Sequence, residues 1–231
     1  PGNLGVETRY ILGEMAITLA HRRGEVANGN AFREAIGCIT DWRVAGPFGP
    51  HDLLDFDAPN AATERGPLAA SYDLGPGRGV QETRAIQGRG CTVHLGDGPI
   101  ARGGTTFAEA VFETTEPGKY VLRVETPNSV EVYLDGESVA KRDLRRRSLT
   151  RVDFVELDLA PGRHELTLKI GTRHPNPVMA VALTKAGNEH DRTLELPGGE
   201  VALDAYLRAS MLMSRGDAVL ARETIRPFVQ E

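Results

Sequence analysis

Three short stretches hold the side chains best suited to chemistry. Lys141-Arg-Asp-Leu-Arg-Arg-Arg147, with Arg151 just beyond, gathers six basic residues in a chain of formal charge −5. Guanidinium groups grip carboxylates in two-pronged fashion. Arg142, Arg145, Arg146, Arg147 and Arg151 are therefore the candidate contacts for an acidic partner, either a protein surface or an anionic glycan. The plainer alternative is a solvated loop. The second stretch, Gly49-Pro-His51-Asp52-Leu-Leu-Asp55-Phe-Asp57, offers nitrogen and oxygen ligands but lacks the glycine and glutamate positions of a calcium loop. It reads as a solvated turn. The third is Asp135-Gly136 in Ser129-Val-Glu-Val-Tyr-Leu-Asp-Gly-Glu-Ser138. An Asp-Gly pair between alternating apolar runs predicts a type I′ hairpin bend, because both central residues need positive φ.

No catalytic or cofactor motif rises above these. The six histidines are His21, His51, His94, His164, His174 and His190, and none has the spacing of a local zinc site. His164 is expected to bond a neighbouring loop carbonyl. There is no Gly-x-Ser-x-Gly elbow, and the glycine-rich pieces LGPGRGVQ and GRGCTVHLGDG fit neither a phosphate loop nor a dinucleotide fingerprint. No cofactor is expected. Cys38 and Cys91 are the only cysteines, far apart and outside any Cys-x-x-Cys. Two buried thiols are the preferred reading and a disulfide the alternative. The abundant carboxylates fall, by strand alternation, on faces expected to be solvated.

The bulk numbers exclude further classes. A chain of 231 residues, 40% hydrophobic and 26% charged, has the make-up of a soluble globular protein. With 27 basic against 32 acidic side chains it lacks the surplus that nucleic-acid binding requires. No stretch approaches the roughly 20 apolar residues of a membrane span. The chain begins at Pro1 without a leader-like segment, so it is expected to be a piece of a larger protein.

The elements that must position these residues fall into three segments. Residues 1–40 predict a helical hairpin. Tyr10, Ile11, Met15, Ile17, Leu19 and Ala20 recur at helical spacing, Gly24 breaks the pattern, and Gly29-Asn30 marks a second break. Ala31, Phe32, Ala35, Ile36 and Ile39 follow as another stripe. Residues 187–231 predict a linker and a second hairpin, with Leu203, Tyr206, Leu207, Met211 and Leu212 before the Gly216-Asp217 turn. Val219, Leu220, Ile225, Phe228 and Val229 lie after it. Residues 41–186 alternate with period two. Tyr120, Leu122 and Val124 share a face, as do Val130, Val132 and Leu134, and Leu166, Leu168 and Ile170. Turn signals at Pro117-Gly118, Pro127-Asn128, Pro161-Gly162 and Pro175-Asn176 separate the runs. The fold class expected is mainly β with flanking α: an antiparallel jelly-roll-like sandwich bracketed by two helical hairpins.

Two resemblances extend this reading. Pro117-Gly-Lys-Tyr-Val-Leu-Arg-Val124, Val130-Glu-Val-Tyr-Leu-Asp-Gly-Glu137 and Ala160-Pro-Gly-Arg-His-Glu-Leu-Thr-Leu-Lys169 resemble β-sandwich modules of the protective-antigen and carbohydrate-binding type. Asp41-Trp-Arg-Val-Ala-Gly-Pro-Phe-Gly49 resembles the first strand of related sandwiches in large bacterial proteins. Leu203 to Pro227, with Arg215-Gly-Asp217 at its turn, resembles one tetratricopeptide repeat, and the N-terminal hairpin does so more weakly. The resemblance implies a non-enzymatic interaction or scaffolding segment that meets another protein or neighbouring domains of its parent chain. The alternative is a carbohydrate-binding module serving a hydrolase or an envelope protein. Calcium-dependent sugar binders of this class use paired aspartates, and this chain has no Asp-Asp. Trp42 is expected to anchor a core rather than to stack on a sugar. The compartment stays open, with the periplasm or cell envelope first.

Overall fold

The computed structural model describes residues 10, 14, 17, 20, 22–24, 26–49, 56–58, 62, 67–74, 79–95, 104–143, 151–172, 177–186, 219, 220 and 223. The chain divides into two compact units, Pro1–Ala35 with Glu189–Glu231, and Ile36–Asn188.

In the first unit the backbone is helical at Tyr10, Glu14, Ile17, Ala20 and Arg22, turns at Arg23-Gly24, and is helical again through α1 (Val26–Ala35). Tyr10, Ile17 and Ala20 are buried, as their shared helical side requires. Gly24 takes φ +74° at the break. The second break expected at Gly29-Asn30 is absent, since α1 runs through both residues. A lone glycine costs a helix only about 1 kcal/mol, less than a surrounding structure can offset. The second stripe is also shorter than expected: Ile39 lies in extended backbone, beyond the helix. Helical backbone recurs at Val219, Leu220 and Glu223. The rest of the expected C-terminal hairpin lies outside the described residues. Among the described residues no helix is long and apolar enough to cross a membrane.

The second unit is built of antiparallel strands. One sheet has the order β4 (Arg84–Gln87), β1 (Asp41–Phe48), β6 (Gly104–Thr114), β11 (Gly162–Thr172), β8 (Ser129–Leu134) and β9 (Glu137–Arg142). A second has the order β10 (Arg151–Leu159), β7 (Gly118–Thr126), β12 (Val178–Lys185) and β5 (Thr92–His94). A small ribbon pairs β2 (Ser71–Asp73) with β3 (Val80–Glu82). Alternation decides which side chains go inward. Leu166, Leu168 and Ile170 of β11 and Val130 and Val132 of β8 face Leu122 and Val124 of β7, Leu157 and Leu159 of β10, and Val181 of β12, in one dry cluster. A core drawn from both sheets makes the unit a β-sandwich. Trp42 sits in that cluster, 2% exposed, and its indole N–H donates to Ile39 O at 2.9 Å. It is a core anchor.

The outward face of the six-stranded sheet is not simply solvated. Ala45, Phe48 and Phe107 form a second cluster with Ala62 and Leu68, against which Tyr72 and Leu74 pack. Glu109, Thr167 and Lys169, which alternation alone puts in water, are buried on this face, Lys169 under the Phe56 ring. The solvated-carboxylate expectation fails at Glu109 because a distant segment covers it. Glu109 is held accordingly. It accepts from Arg43 Nη1 at 2.8 Å and from the Leu68 backbone N–H at 3.3 Å, while Arg43 Nη2 donates to Leu68 O. A buried carboxylate needs such partners, and here they pin the covering segment by both its backbone polar groups.

The cysteines are joined by a disulfide, which corrects the expectation of two buried thiols. Register explains it. β12 pairs Ala180 with Thr92 of β5, and on the same edge Ala182 bridges Cys38. Two segments thus lie end to end along one strand, bringing the Cα atoms of Cys38 and Cys91 to 5.1 Å, within ordinary disulfide reach.

Candidate functional site

The basic patch comes apart in the structure. Arg142 points inward: Nη2 donates to Thr126 O (2.8 Å) and Asn128 O (3.2 Å), and Nη1 pairs with Asp153 at 2.7 Å. Lys141 is also engaged, paired with Asp57 at 3.1 Å and Glu131 at 3.2 Å, with the Phe56 ring 5.4 Å below. Arg145, Arg146, Arg147 and the side chain of Arg151 lie outside the described residues, as do His51, Asp52 and Asp55. Asp57, the described carboxylate of that second stretch, is an ion-pair partner for Lys141.

Asp135-Gly136 is a bend that carries more than a turn. φ is +50° at Asp135 and +83° at Gly136, as a type I′ turn demands. The Asp135 carboxylate accepts from Glu165 N at 2.8 Å and meets His164 Nδ1 at 2.8 Å, while His164 Nε2 faces Ala160 O at 2.9 Å. Both ring nitrogens thus face acceptors, an arrangement that only the doubly protonated ring satisfies fully. The ring also stacks on Phe112, centroids 5.4 Å apart. The Asp135 hydrogen bond raises the His164 pKa; burial opposes this, and the Ala160 carbonyl adds to it. For Asp135, burial pushes upward, but the Glu165 N–H and His164 together hold the carboxyl below its usual value.

The sign of the pH effect follows. His164 contributes stability fully below the ordinary histidine pKa of about 6.5 and loses it as pH rises through its raised folded value. Asp135 contributes above the ordinary aspartate range and loses it as pH falls through its lowered folded value. The clamp therefore works between the two. Thermal melts of the native chain are expected to fall as pH rises above about 6.5, and His164→Gln is expected to flatten that fall while costing about 1–2 kcal/mol at pH 6. An alkaline slope unchanged in the variant would remove His164 as its source.

The surface with chemical capacity lies elsewhere on the six-stranded sheet. Where the covering layer ends, β4, β1, β6 and β11 leave a groove of about 600 Å³, within the usual range of small-molecule sites. Register builds it. Arg43 sits opposite Ala85 on one side and Glu109 on the other, and Asp41 sits opposite Gln87. Asp41, Arg43, Gln87, Glu109, Val111 and Arg163 line it, with Pro67 of the covering layer as a wall. Gln87 Nε2 donates to Asp41 Oδ1 at 3.0 Å, and Thr40 Oγ1 donates to Asp41 Oδ2 at 3.0 Å. Val111 is 45% exposed. Among the described residues the Arg163 side chain makes no hydrogen bond or ion pair; its backbone pairs with Glu113 of β6. Beside the groove, burial and then the charge of Glu109 raise the pKa of Glu165.

None of these groove residues stands out in the sequence. Alternation gives the phase of Arg43, of Glu109 with Val111, and of Arg163. It does not say that β1, β6 and β11 are neighbours.

No protein-family model matches the chain, and no curated protein matches it in sequence. Solved structures match parts of the chain. A beta-glucosidase from Kluyveromyces marxianus, in complex with glucose, aligns over 55% of this chain at 14% identity and a TM-score of 0.39; the chain spans 16% of that enzyme. The PA14 domain of the antifreeze protein MpAFP aligns over 64% of this chain and 82% of its own, at 12% identity and a TM-score of 0.39. A family 35 carbohydrate-binding module from Clostridium thermocellum aligns over 39% of this chain and 75% of its own, at 10% identity and a TM-score of 0.30. Likeness at this level carries no argument about a ligand.

Proposed function

We propose that the sandwich unit is a non-catalytic carbohydrate-binding module whose site is the outer-face groove. The observation that carries this reading is the lining itself. Carboxylate, amide and guanidinium groups converge around an exposed aliphatic floor at Val111. Sugar hydroxyls both donate and accept, so they need such mixed partners, and the C–H face of a pyranose needs apolar surface. The same reading takes the sandwich as jelly-roll-like and the terminal stretches as repeat-type helical pieces of a larger bacterial protein. Arg145, Arg146, Arg147 and Arg151, as a contact for an acidic protein, are the second place to look for a partner.

Glycan-array screening followed by calorimetry tests the module. The native chain should retain an oligosaccharide and release no reducing ends from it. Arg163→Ala and Asp41→Ala should each weaken binding about tenfold, the worth of one charged hydrogen bond. Both are exposed, so unfolding free energy should stay within about 0.5 kcal/mol. An array that retains nothing, or variants that bind as the native chain does, would remove the groove as a sugar site.

A further inference from the structure

We infer that the groove selects an uncharged oligosaccharide, lying across the strands, over acidic sugars, amino sugars and single sugar rings. This deepens the carbohydrate-binding reading and rests on it. Charge sets the first preference. The groove is lined by two carboxylates, Asp41 and Glu109, and two guanidiniums, Arg43 and Arg163, whose formal charges cancel. They are not equivalent. Glu109 and Arg43 already satisfy each other and Leu68. That leaves Asp41 and Arg163, both exposed, as the lining charges without an ion-pair partner among the described residues, on opposite sides of Val111's strand. An acidic sugar would gain Arg163 but meet Asp41, with Glu165 close by on β11. An amino sugar would gain Asp41 but meet Arg163. A ligand of either charge meets a like charge, which offsets part of the gain from the opposite contact. A neutral polyol uses both, accepting from Arg163 and donating to Asp41.

Length sets the second. The lining comes from β4, β1, β6 and β11, four adjacent strands. At the spacing of paired strands this is about 14 Å, longer than one pyranose ring. One ring fills about a third of that span and leaves the rest of the lining uncovered. Two or more linked residues cover more of it.

The test uses the whole chain on an array spanning neutral, uronate and amine-bearing glycans. Calorimetry then compares the best neutral tetrasaccharide with its own monosaccharide, tetragalacturonate and a glucosamine tetramer. The neutral tetrasaccharide should bind at least about tenfold tighter than the other three. Its affinity should change less than about twofold between about 0.01 M and 1 M salt, because screening acts on charged ligands. Arg163→Gln, which leaves the groove net negative, should lose about tenfold for the neutral ligand and move preference toward the amine. Retention of uronates or amines above neutral glycans, or a monosaccharide equal to its tetrasaccharide, overturns the inference and leaves the module standing. An array that retains no glycan overturns the module itself, and this inference with it.

Discussion

Replacing Gly37 with alanine is expected to lower the unfolding free energy by about 3–5 kcal/mol, a large share of the 5–15 kcal/mol of a typical domain. The reason is local and twofold. Gly37 has φ +70°, a conformation that costs a residue with a Cβ about 1–2 kcal/mol. A Cβ built there would also lie 1.9 Å from the backbone oxygen of Leu183. The obstacle is main chain, so no side chain can swing aside. The 36–39 segment would have to lift from β12, breaking the Leu183 N–Gly37 O bond (2.8 Å) and the Ile39 N–Val181 O bond (2.9 Å). Gly79 provides the control. Its φ is +77° with nothing within 4 Å of a Cβ, so Gly79→Ala should cost only the conformational share, about 1 kcal/mol. Urea denaturation of both variants measures the difference. Equal losses would mean that the seam at β12 yields without cost.

The second large effect is expected from the cross-link beside that seam. Replacing Cys38 and Cys91 together with serine, or reducing them, should cost about 2–4 kcal/mol. The bridge closes a loop with a sequence separation of 53, and chain entropy alone gives about 4 kcal/mol for a loop of that length. The loop holds β1, β2, β3 and β4, hence two of the four strands that form the groove. Cys91 is fully buried, so thiol reagents should find nothing in the native protein and two thiols only after unfolding with reductant. Mass analysis with alkylation before and after reduction reports the state directly. Free thiols in the native, air-exposed protein, or an unchanged denaturation midpoint on reduction, would contradict the pairing.

Much of the sandwich was legible because period two is a local signal. The faces assigned to Leu122 and Val124, to Val130 and Val132, and to Leu166, Leu168 and Ile170 are the buried faces observed. The Asp135-Gly136 bend was legible for the same reason, since its chemistry resides in two adjacent residues. What stayed hidden depends on partners distant in sequence. Leu68 covers Glu109 and Phe56 lies over Lys169, and no pattern around residue 109 or 169 announces residue 68 or 56. The disulfide is set by two registers on β12, each known only once the sheet order is known. Arg142 read as an outward charge because its acceptors, Thr126 O and Asn128 O, are backbone atoms with no signature in sequence. The groove follows the same rule. Its parts sit on three long strands and a short one, and pleating fixes their faces while topology alone makes them neighbours.

A titration followed by backbone amide NMR tests the placement of the sugar site most directly. The isotope-labelled chain would be titrated with the best neutral tetrasaccharide from the array. Shifts concentrated at Asp41, Arg43, Gln87, Glu109, Val111 and Arg163, with β9 and β10 unmoved, are the result predicted. Shifts centred on residues 142–151, or none at saturating sugar, would contradict it.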